Sequence, residues 1–177
     1  SMLKKNMQFK YSESHGELVA RSSRTLKPVL LDVVDKIIPK RKPYRLLEVG
    51  CGSGIYIKRA CEQNPLLTAV GLEVQQSVAD FARENIKTWK FKNRVDIENT
   101  DIRKFKSTSD FDMVTFYNLI YYFPLDERIA LLKDLGKHLK PGGELILTSM
   151  CKGKDPSLSL MNLWTSMTAG YGPLLRH

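Results

Sequence analysis

Five short apolar runs alternate along this chain with longer segments in which apolar residues recur every three or four positions. Short apolar runs are typical of strands that are buried on both faces, and the wider spacing is typical of an amphipathic helix. The predicted strands cover residues 44–49, 66–72, 95–98, 111–117 and 144–150. The predicted helices cover residues 14–38, 55–63, 75–89, 125–139 and 157–169.

The same spacing predicts which face of each helix packs on its neighbours. Pro28 predicts either a kink in the first helix or the start of a second one, because proline lacks the amide that a helix interior needs. Residues 103–110 predict a surface connection, and residues 140–143 predict a sharp turn. The predicted inner residues are Leu26, Val29, Leu30, Val33, Val34 and Ile37; Ile57, Ala60 and Cys61; Val78, Phe81, Ala82, Ile86 and Trp89; Ile129, Leu132, Leu135 and Leu139.

The alternation of strands and helices predicts an α/β fold, a three-layer sandwich with a mainly parallel, doubly wound sheet. In such a sheet the ligand binds at the carboxyl ends of the strands, near the point where the strand order reverses. Three polar features follow predicted strands: a glycine-rich turn at residues 50–54, then Glu73, then Asp101. Because these strand ends share one edge of the sheet, we expect the three features to form one site.

The turn after the first strand has glycine at positions 50, 52 and 54, which permits positive φ and lets a ligand lie against bare backbone. A dinucleotide fingerprint needs a glycine where Ile55 stands, and a phosphate-binding loop needs a Gly-Lys-Ser/Thr sequence that does not follow. The pattern favours a nucleoside without phosphates. Glu73 would accept hydrogen bonds from both ribose hydroxyls, while Asp101 and Ile102 would contact an adenine.

These residues resemble the motifs of the class I S-adenosylmethionine-dependent methyltransferases, a Rossmann-like family. The resemblance extends over about residues 44–150 and rests on several motifs in the family's order. They are residues 48–54 for the first motif, Glu73 for the ribose-binding acid, residues 101–102 for the adenine side, residues 111–118 for the fourth strand, and residues 139–145 for the turn into the fifth.

The resemblance implies that S-adenosylmethionine is the cofactor, S-adenosylhomocysteine its product, and that no metal ion is used. The amides of residues 50–54 would seat the methionine portion, and the backbone near Asn118 would lie close to the sulfonium. No residue is assigned a catalytic role. The implied cofactor-binding residues are Glu48, Gly50, Cys51, Gly52, Ser53, Gly54, Glu73, Val74, Asp101, Ile102 and Asn118.

Several of these residues also have structural explanations. Glu73 is a suitable cap for the helix that follows it, Asp101 a suitable loop cap, and Asn118 a suitable turn residue. Asp112, at the start of a strand, is expected to be structural. His138 lies late in a helix, where it can bond to the last carbonyls, and it is not expected to act as a base.

Residues 118–121 read Asn-Leu-Ile-Tyr, unlike the Asn/Asp-Pro-Pro-Tyr motif of family members that methylate planar amino groups. The expected function is therefore methyl transfer to a small-molecule acceptor by direct in-line displacement. Tyr121 and Tyr122 lie near the expected acceptor position, although tyrosines there more often pack than catalyse. The alternatives are an RNA or protein methyltransferase that uses the basic N-terminus, and a non-catalytic S-adenosylmethionine-binding protein.

The net charge of +9 is concentrated in residues 1–45, which contain eleven Lys or Arg and four Asp or Glu. Such a segment is either a solvated surface or an attraction for nucleic acid, and the solvated surface is favoured. The three cysteines form no CxxC pair, which predicts a reducing, cytoplasmic location rather than a disulfide or zinc site. No apolar run reaches the roughly 18 residues that span a bilayer, so no membrane partner is expected.

We expect residues 1–43 to form a basic, helical N-terminal extension and residues 44–177 to form the S-adenosylmethionine-binding domain. The helix at 14–38 and the segment 155–173 would form much of the acceptor lid. The family sheet usually has seven strands, so the sequence predicts a sheet that lacks the last two and a domain that is incomplete at its C-terminal end. Because a bare edge strand is a pairing hazard, we expect a homodimer partner or the N-terminal segment to cover it.

Overall fold

The computed structural model of the chain describes residues 16–107 and 110–149, with side chains from residue 26 onward. Its centre is a parallel sheet of five strands in the order β3-β2-β1-β4-β5. The strand order reverses between β1 and β4, which places the binding position of such a sheet at their carboxyl ends. The strands are β1 (Tyr44–Val49), β2 (Leu67–Leu72), β3 (Val95–Glu98), β4 (Phe111–Tyr117) and β5 (Leu139–Thr148).

The helices connect these strands as the sequence predicts. The predicted bounds of β1, β3, β4 and the helix at 55–63 are confirmed. Pro28 lies inside the first helix, which continues through it. The helices are α1 (Gly16–Ile37), α2 (Ile55–Gln63), α3 (Gln76–Thr88) and α4 (Arg128–Gly136), and a short 3-10 turn (Ile120–Tyr122) follows β4.

Two apolar cores lie on opposite faces of the sheet, because successive residues of a strand point to opposite sides. Leu46 and Met113 belong to the core that includes buried residues of α1, α2 and α3. Leu47 and Val114 belong to the core that includes buried residues of α4 and the connection before β4. Helices therefore cover both faces, which confirms the predicted three-layer α/β sandwich.

The predicted inner faces of three helices are wrong in part. Val29, Phe81 and Ile129 are exposed, at 59%, 58% and 68%. A three-to-four spacing is compatible with more than one helix face, and the shape of the packing partner selects between them. The faces that pack are one position away and are formed by Leu30, Val34 and Ile38 in and just after α1, Ala79, Ala82 and Ile86 in α3, and Leu131 and Leu135 in α4.

Two connections also differ from the prediction. Phe105, in the segment predicted to lie on the surface, is buried, and its ring centroid lies 5.2 Å from that of His138. Residues 140–143 do not form a separate turn but belong to β5, with Gly142 at a φ of 79°. The pairing of β5 with β4 shifts in register there, because a bulge lets one strand carry extra residues without ending the ladder.

Several element ends differ by a few residues. The strand predicted at 66–72 begins at Leu67, and Leu66 is 53% exposed. The helix predicted at 125–139 is shorter at both ends, since residues 125–127 form a turn and β5 begins at Leu139.

Some predictions fall outside the described residues. The helix predicted at 157–169 does so, as does the last residue of the fifth strand. The division of the chain at residue 43 stays a prediction, although the C-terminal half of α1 packs into the same core as β1. Within the described ranges, no helix is long and apolar enough to cross a bilayer.

Candidate functional site

The turn between β1 and α2 has left-handed backbone at each of its glycines. The φ angle is 68° at Gly50, 53° at Gly52 and 77° at Gly54, a region that residues with a Cβ enter only at a cost. At Gly52, no atom lies within 4 Å of the position that a Cβ would take. The turn therefore offers bare backbone on an open side, as a ligand lying against the peptide requires.

Glu73 connects the end of β2 to this turn. Its Oε2 accepts a hydrogen bond from the Gly52 amide at 3.1 Å, and its Oε1 accepts one from the Gln75 amide at 3.0 Å. Burial raises the pKa of Glu73, and the amides that it accepts from oppose that shift. Because a carboxylate offers about four acceptor positions, Glu73 can hold the turn and the start of α3 and still accept from hydroxyl groups of a ligand.

Two asparagines that the sequence did not identify hold the same region together. Asn85 of α3 donates from Nδ2 to the Ser53 carbonyl oxygen at 3.0 Å. Asn99, after β3, donates from Nδ2 to the Glu73 carbonyl oxygen at 2.8 Å. Neither asparagine shows a spacing that predicts its partner, because each partner lies on another element. Together they link the exits of β1, β2 and β3.

The loop after β4 meets the glycine turn. Asn118 has a φ of 52°, and its amide donates to the Thr148 carbonyl oxygen at 2.9 Å. The side chain of Leu119 fills the space beside Gly50 so closely that a Cβ at Gly50 would overlap its Cδ1. The exits of β1 and β4 are thus in direct contact at the position where the strand order reverses.

Glu48 and Cys51 lie beneath the turn and are almost inaccessible, with exposed fractions of 1% and 3%. Burial raises the pKa of Glu48 to about 8, and its Oε1 has no hydrogen-bond partner among the described residues. Burial also raises the pKa of the Cys51 thiol, and its sulfur packs beside Gly71. Cys51 is therefore suited to packing rather than to nucleophilic chemistry.

The remaining predicted binding residues have mixed positions. Asp101 accepts hydrogen bonds from the Arg103 amide at 2.9 Å and from the Arg103 Nε at 3.0 Å, and this guanidinium lowers the pKa of Asp101. Ile102 is buried in the core on the α4 side, whereas Val74 is 62% exposed at the end of β2. The carboxylate of Asp101 is thus engaged within its own loop, and its contact with an adenine stays a prediction.

The side chains expected to be structural have structural contacts. Asp112 accepts from the Arg45 amide at 2.8 Å and pairs with Lys140, so it joins β4 to its neighbours on both sides. The His138 ring contacts Phe105, and burial lowers the pKa of His138. Neither residue approaches the glycine turn through any of these contacts.

Tyr121 and Tyr122 form an aromatic pair in the 3-10 turn after β4. Their ring centroids lie 4.8 Å apart, and Tyr121 is buried. Burial raises the pKa of Tyr121, so its phenol stays protonated at neutral pH. Tyr121 fits the packing role, and Tyr122, which is half-buried, is the more accessible of the two.

The chemistry of these donors and acceptors fits a nucleoside that carries an amino-acid portion. Helix α2 begins without a side-chain cap and without an acidic residue in its first turn, so its first amides suit a carboxylate. Glu73 suits hydroxyl groups, and Glu48 is a second acid near the same turn. Within residues 16–107 and 110–149, no group of three or more His, Cys, Asp or Glu side chains could hold a metal ion.

Residues 47–145 match the model of a methyltransferase domain family. The chain is 25% identical over 121 residues to the tRNA N(3)-methylcytidine methyltransferase trm141 of Schizosaccharomyces pombe, with 66% of this chain and 48% of that protein covered. It is 23% identical over 125 residues to a ubiquinone biosynthesis O-methyltransferase of Coxiella burnetii, with 71% and 51% covered. The chain thus spans about half the length of these relatives.

A solved structure with the same fold is an O-methyltransferase family protein from Burkholderia thailandensis. The TM-score is 0.70 at 24% identity, and the match covers 85% of this chain and 47% of that one. The family model covers more than half of the chain and includes the glycine turn, Glu73 and the loop after β4. The chain therefore belongs to the class I S-adenosylmethionine-dependent methyltransferase family.

Proposed function

We propose that this protein transfers a methyl group from S-adenosylmethionine to a small-molecule acceptor by direct in-line displacement. The contact between Leu119 and Gly50 is the observation that carries the proposal. It brings the loop after β4, where an acceptor would enter, against the turn that would hold the cofactor. The bound cofactor supplies an electrophilic methyl group on a sulfonium.

In this proposal the chain acts mainly by positioning, which is the largest contribution available when a nucleophile must meet an electrophile in line. The amides of residues 50–54 and the first turn of α2 bind the methionine portion. Glu73 accepts from the ribose hydroxyls, and Asn85 and Asn99 hold the turn and Glu73 in place. No side chain is assigned as a general base, since a base is needed only when the acceptor loses a proton as it attacks.

The loop after β4 supports a small acceptor. Residues 118–121 lack the Asn/Asp-Pro-Pro-Tyr sequence, and the aromatic pair of Tyr121 and Tyr122 offers an apolar surface beside Leu119. The similarity to an O-methyltransferase of ubiquinone biosynthesis agrees with an aromatic or otherwise apolar acceptor. The first 43 residues, which continue into α1, would contribute to a lid over this side.

RNA is the second candidate acceptor. It is favoured by the similarity to a tRNA methyltransferase and by the excess of Lys and Arg in residues 1–45. An RNA-binding protein loses affinity steeply as salt rises, because its cationic side chains displace counterions from phosphates. Electrophoretic mobility shifts with total tRNA across a salt series therefore distinguish the two acceptors.

The central test is isothermal titration calorimetry with S-adenosylmethionine and S-adenosylhomocysteine. We expect both to bind, and the absence of binding by either at millimolar concentration would contradict the proposal. The acceptor is then sought by mass spectrometry, by looking for the mass of one added CH2 unit in a metabolite extract and, in parallel, in total tRNA. Binding of both ligands with no transfer to either pool would identify a cofactor-binding protein without this activity.

Cytoplasmic location and a homodimer through the β5 edge are proposals of the same kind. Both rest on sequence arguments, the first on cysteine usage and the second on the hazard of an unpaired strand. Sedimentation equilibrium tests the dimer directly, and a single species of monomer mass over the full concentration range would contradict it. Fluorescence microscopy of the tagged protein in its own host tests the location.

A further inference from the structure

Glu48 is a buried acid without a partner. Its side chain lies on β1 two residues before Gly50, it is 1% exposed, and its Oε1 makes no hydrogen bond within the described part of the chain. A buried polar atom that is left unpaired costs free energy, because it has lost its bonds to water and gained none in exchange. A residue of this kind beneath a ligand-binding turn suggests that the missing partner arrives with the ligand.

The groups that face Glu48 cannot neutralise a carboxylate. From α2 it faces Tyr56 and Cys61, from β4 Tyr117, and from the turn Cys51. Each of these groups is neutral at pH 7 and becomes an anion when it ionises, and the field of Glu48 helps to raise their pKa values, that of Tyr56 to about 12.

The nearest positions on the neighbouring strands also lack a positive charge. Thr115 of β4 and Gly71 of β2 lie opposite Glu48 in the sheet. Thr148 of β5, beside Tyr117, has a second buried oxygen without a hydrogen-bond partner among the described residues. No cation among the described residues faces Glu48, whose pKa is raised by burial alone.

A buried carboxyl group without a counter-charge is protonated near neutral pH, whereas an adjacent cation favours its ionised form. The proposed cofactor carries two cations, the sulfonium and the α-ammonium, and the glycine turn that would hold it lies directly above Glu48. We propose that Glu48 receives the positive charge of the bound cofactor and releases its own proton to solvent as the ligand binds.

The inference rests on the proposed use of S-adenosylmethionine and adds a proton to its binding equilibrium. The only bond that breaks is the O–H bond of the Glu48 carboxyl, and the proton passes to buffer. Since binding then requires the ionised acid, the apparent affinity rises close to tenfold per pH unit below the pKa of Glu48 and levels off above it.

The experiment is calorimetry with S-adenosylmethionine in pairs of buffers that differ in ionisation enthalpy, which counts the protons released. It is run from about pH 5.5 to about pH 7.5, because the α-amino group of the ligand itself titrates near pH 8. For the wild-type protein we expect about one proton per ligand at the acidic end and the tenfold rise in affinity per unit. In Glu48→Gln, both the proton release and the pH dependence should disappear.

Asp126→Asn is the matched control, because Asp126 is an exposed acid before α4. It should retain the wild-type proton release. Far-UV circular dichroism of Glu48→Gln checks that the isosteric variant is folded, and the wild-type proton count tests the inference without it. S-Adenosylhomocysteine, which lacks the sulfonium charge, identifies the cation: an undiminished release assigns the ammonium, and a smaller one assigns the sulfonium.

The failures are distinguishable. If the wild-type protein binds neither ligand, the proposed function falls, and this inference falls with it. If the wild-type protein binds both ligands without releasing a proton, only the role of Glu48 is overturned. A Glu48→Gln variant that still releases a full proton would also overturn it, because another group would then be the source.

Discussion

At Gly50 two loops of the site occupy adjoining space, and the absence of one carbon atom makes this possible. The φ angle of 68° requires a left-handed backbone, and the side chain of Leu119 lies where a Cβ would be. Gly52 shares the left-handed backbone, with a φ of 53°, but faces open space. The two glycines therefore separate backbone strain from steric overlap.

We predict that Gly50→Ala destabilises the protein by about 2–4 kcal/mol, the sum of backbone strain and overpacking. Gly52→Ala should cost about 1 kcal/mol, for backbone strain alone. Urea denaturation measures both. Adding Leu119→Ala to Gly50→Ala should recover part of the loss relative to Leu119→Ala alone, and equal losses for the two glycine variants would contradict the packing argument.

Glu48 predicts an unusual dependence of stability on pH in the ligand-free protein. Its pKa is raised from 4.5 to about 8 in the folded state, so between these values the folded chain holds a proton that the unfolded chain has released. The free energy of unfolding should therefore fall as pH rises through this window, by at most a few kcal/mol.

Glu48→Gln should reduce that slope and should be the more stable protein at the alkaline end. Chemical denaturation at several pH values compares the two proteins. Parallel curves for wild type and variant would show that Glu48 ionises normally. The same substitution should weaken cofactor binding, so stability and binding should change in opposite directions.

Glu73 holds two backbone amides and is proposed to hold the ribose as well. Glu73→Gln keeps one acceptor oxygen, and we predict that it weakens S-adenosylmethionine binding by about 1–3 kcal/mol, the cost of losing a charged hydrogen-bond partner. Calorimetry measures the effect, and Glu98→Gln, an exposed acid at the end of β3, is the control. An unchanged affinity in Glu73→Gln would leave Glu73 as a structural cap only.

At the scale of elements, the helices illustrate what periodicity can and cannot predict. The existence of α1, α3 and α4 follows from apolar spacing, but the buried face of each is rotated from the predicted one. In α3 the packing positions include Ala79 and Ala82, while Phe81 is exposed. Hydrophobicity alone ranks Phe above Ala, whereas a helix lying close to a sheet favours the smaller side chain at the contact.

The rotated face of α1 gives a direct test. Val34 is 2% exposed and Val29 is 59% exposed, although both belong to the apolar stripe that the sequence predicts. We expect Val34→Ala to cost about 2 kcal/mol, because two buried methyl groups are lost, and Val29→Ala to cost almost nothing. Thermal denaturation of the two variants checks the face, and the reverse order would restore the face predicted from periodicity.

At the scale of the whole molecule, the sheet has a protected centre and two edges within the described residues. Strands β1 and β4 each have a neighbour on both sides, whereas β3 and β5 each have one. We predict that amide hydrogens of β1 and β4 exchange most slowly with solvent, and that outward amides of β5 exchange faster. Native-state hydrogen exchange followed by NMR measures this order.

That exchange experiment also tests the proposed homodimer. If a second copy of the chain covers the β5 edge, the protection of β5 should rise with protein concentration. Protection equal to that of β4 at every concentration would contradict both the free edge and a reversible dimer.

The sequence by itself determined the alternation of strands and helices, the bounds of β1, α2, β3 and β4, and the glycine turn with Glu73 at two neighbouring strand ends. These features depend on local backbone preferences and on periods of two and 3.6 residues, which are properties of short segments. Resemblance of the same segments to a family then supplied the cofactor.

Only the tertiary structure decided which helix faces are buried, that Leu119 lies on Gly50, that Asn85 holds Ser53, and that Glu48 is left without a partner. Each of these depends on atoms that are far apart in the chain, and their contacts are selected by the shape of the assembled core. A local pattern can therefore predict that a residue is polar or apolar, but the burial that gives Glu48 its chemistry is a property of the whole fold.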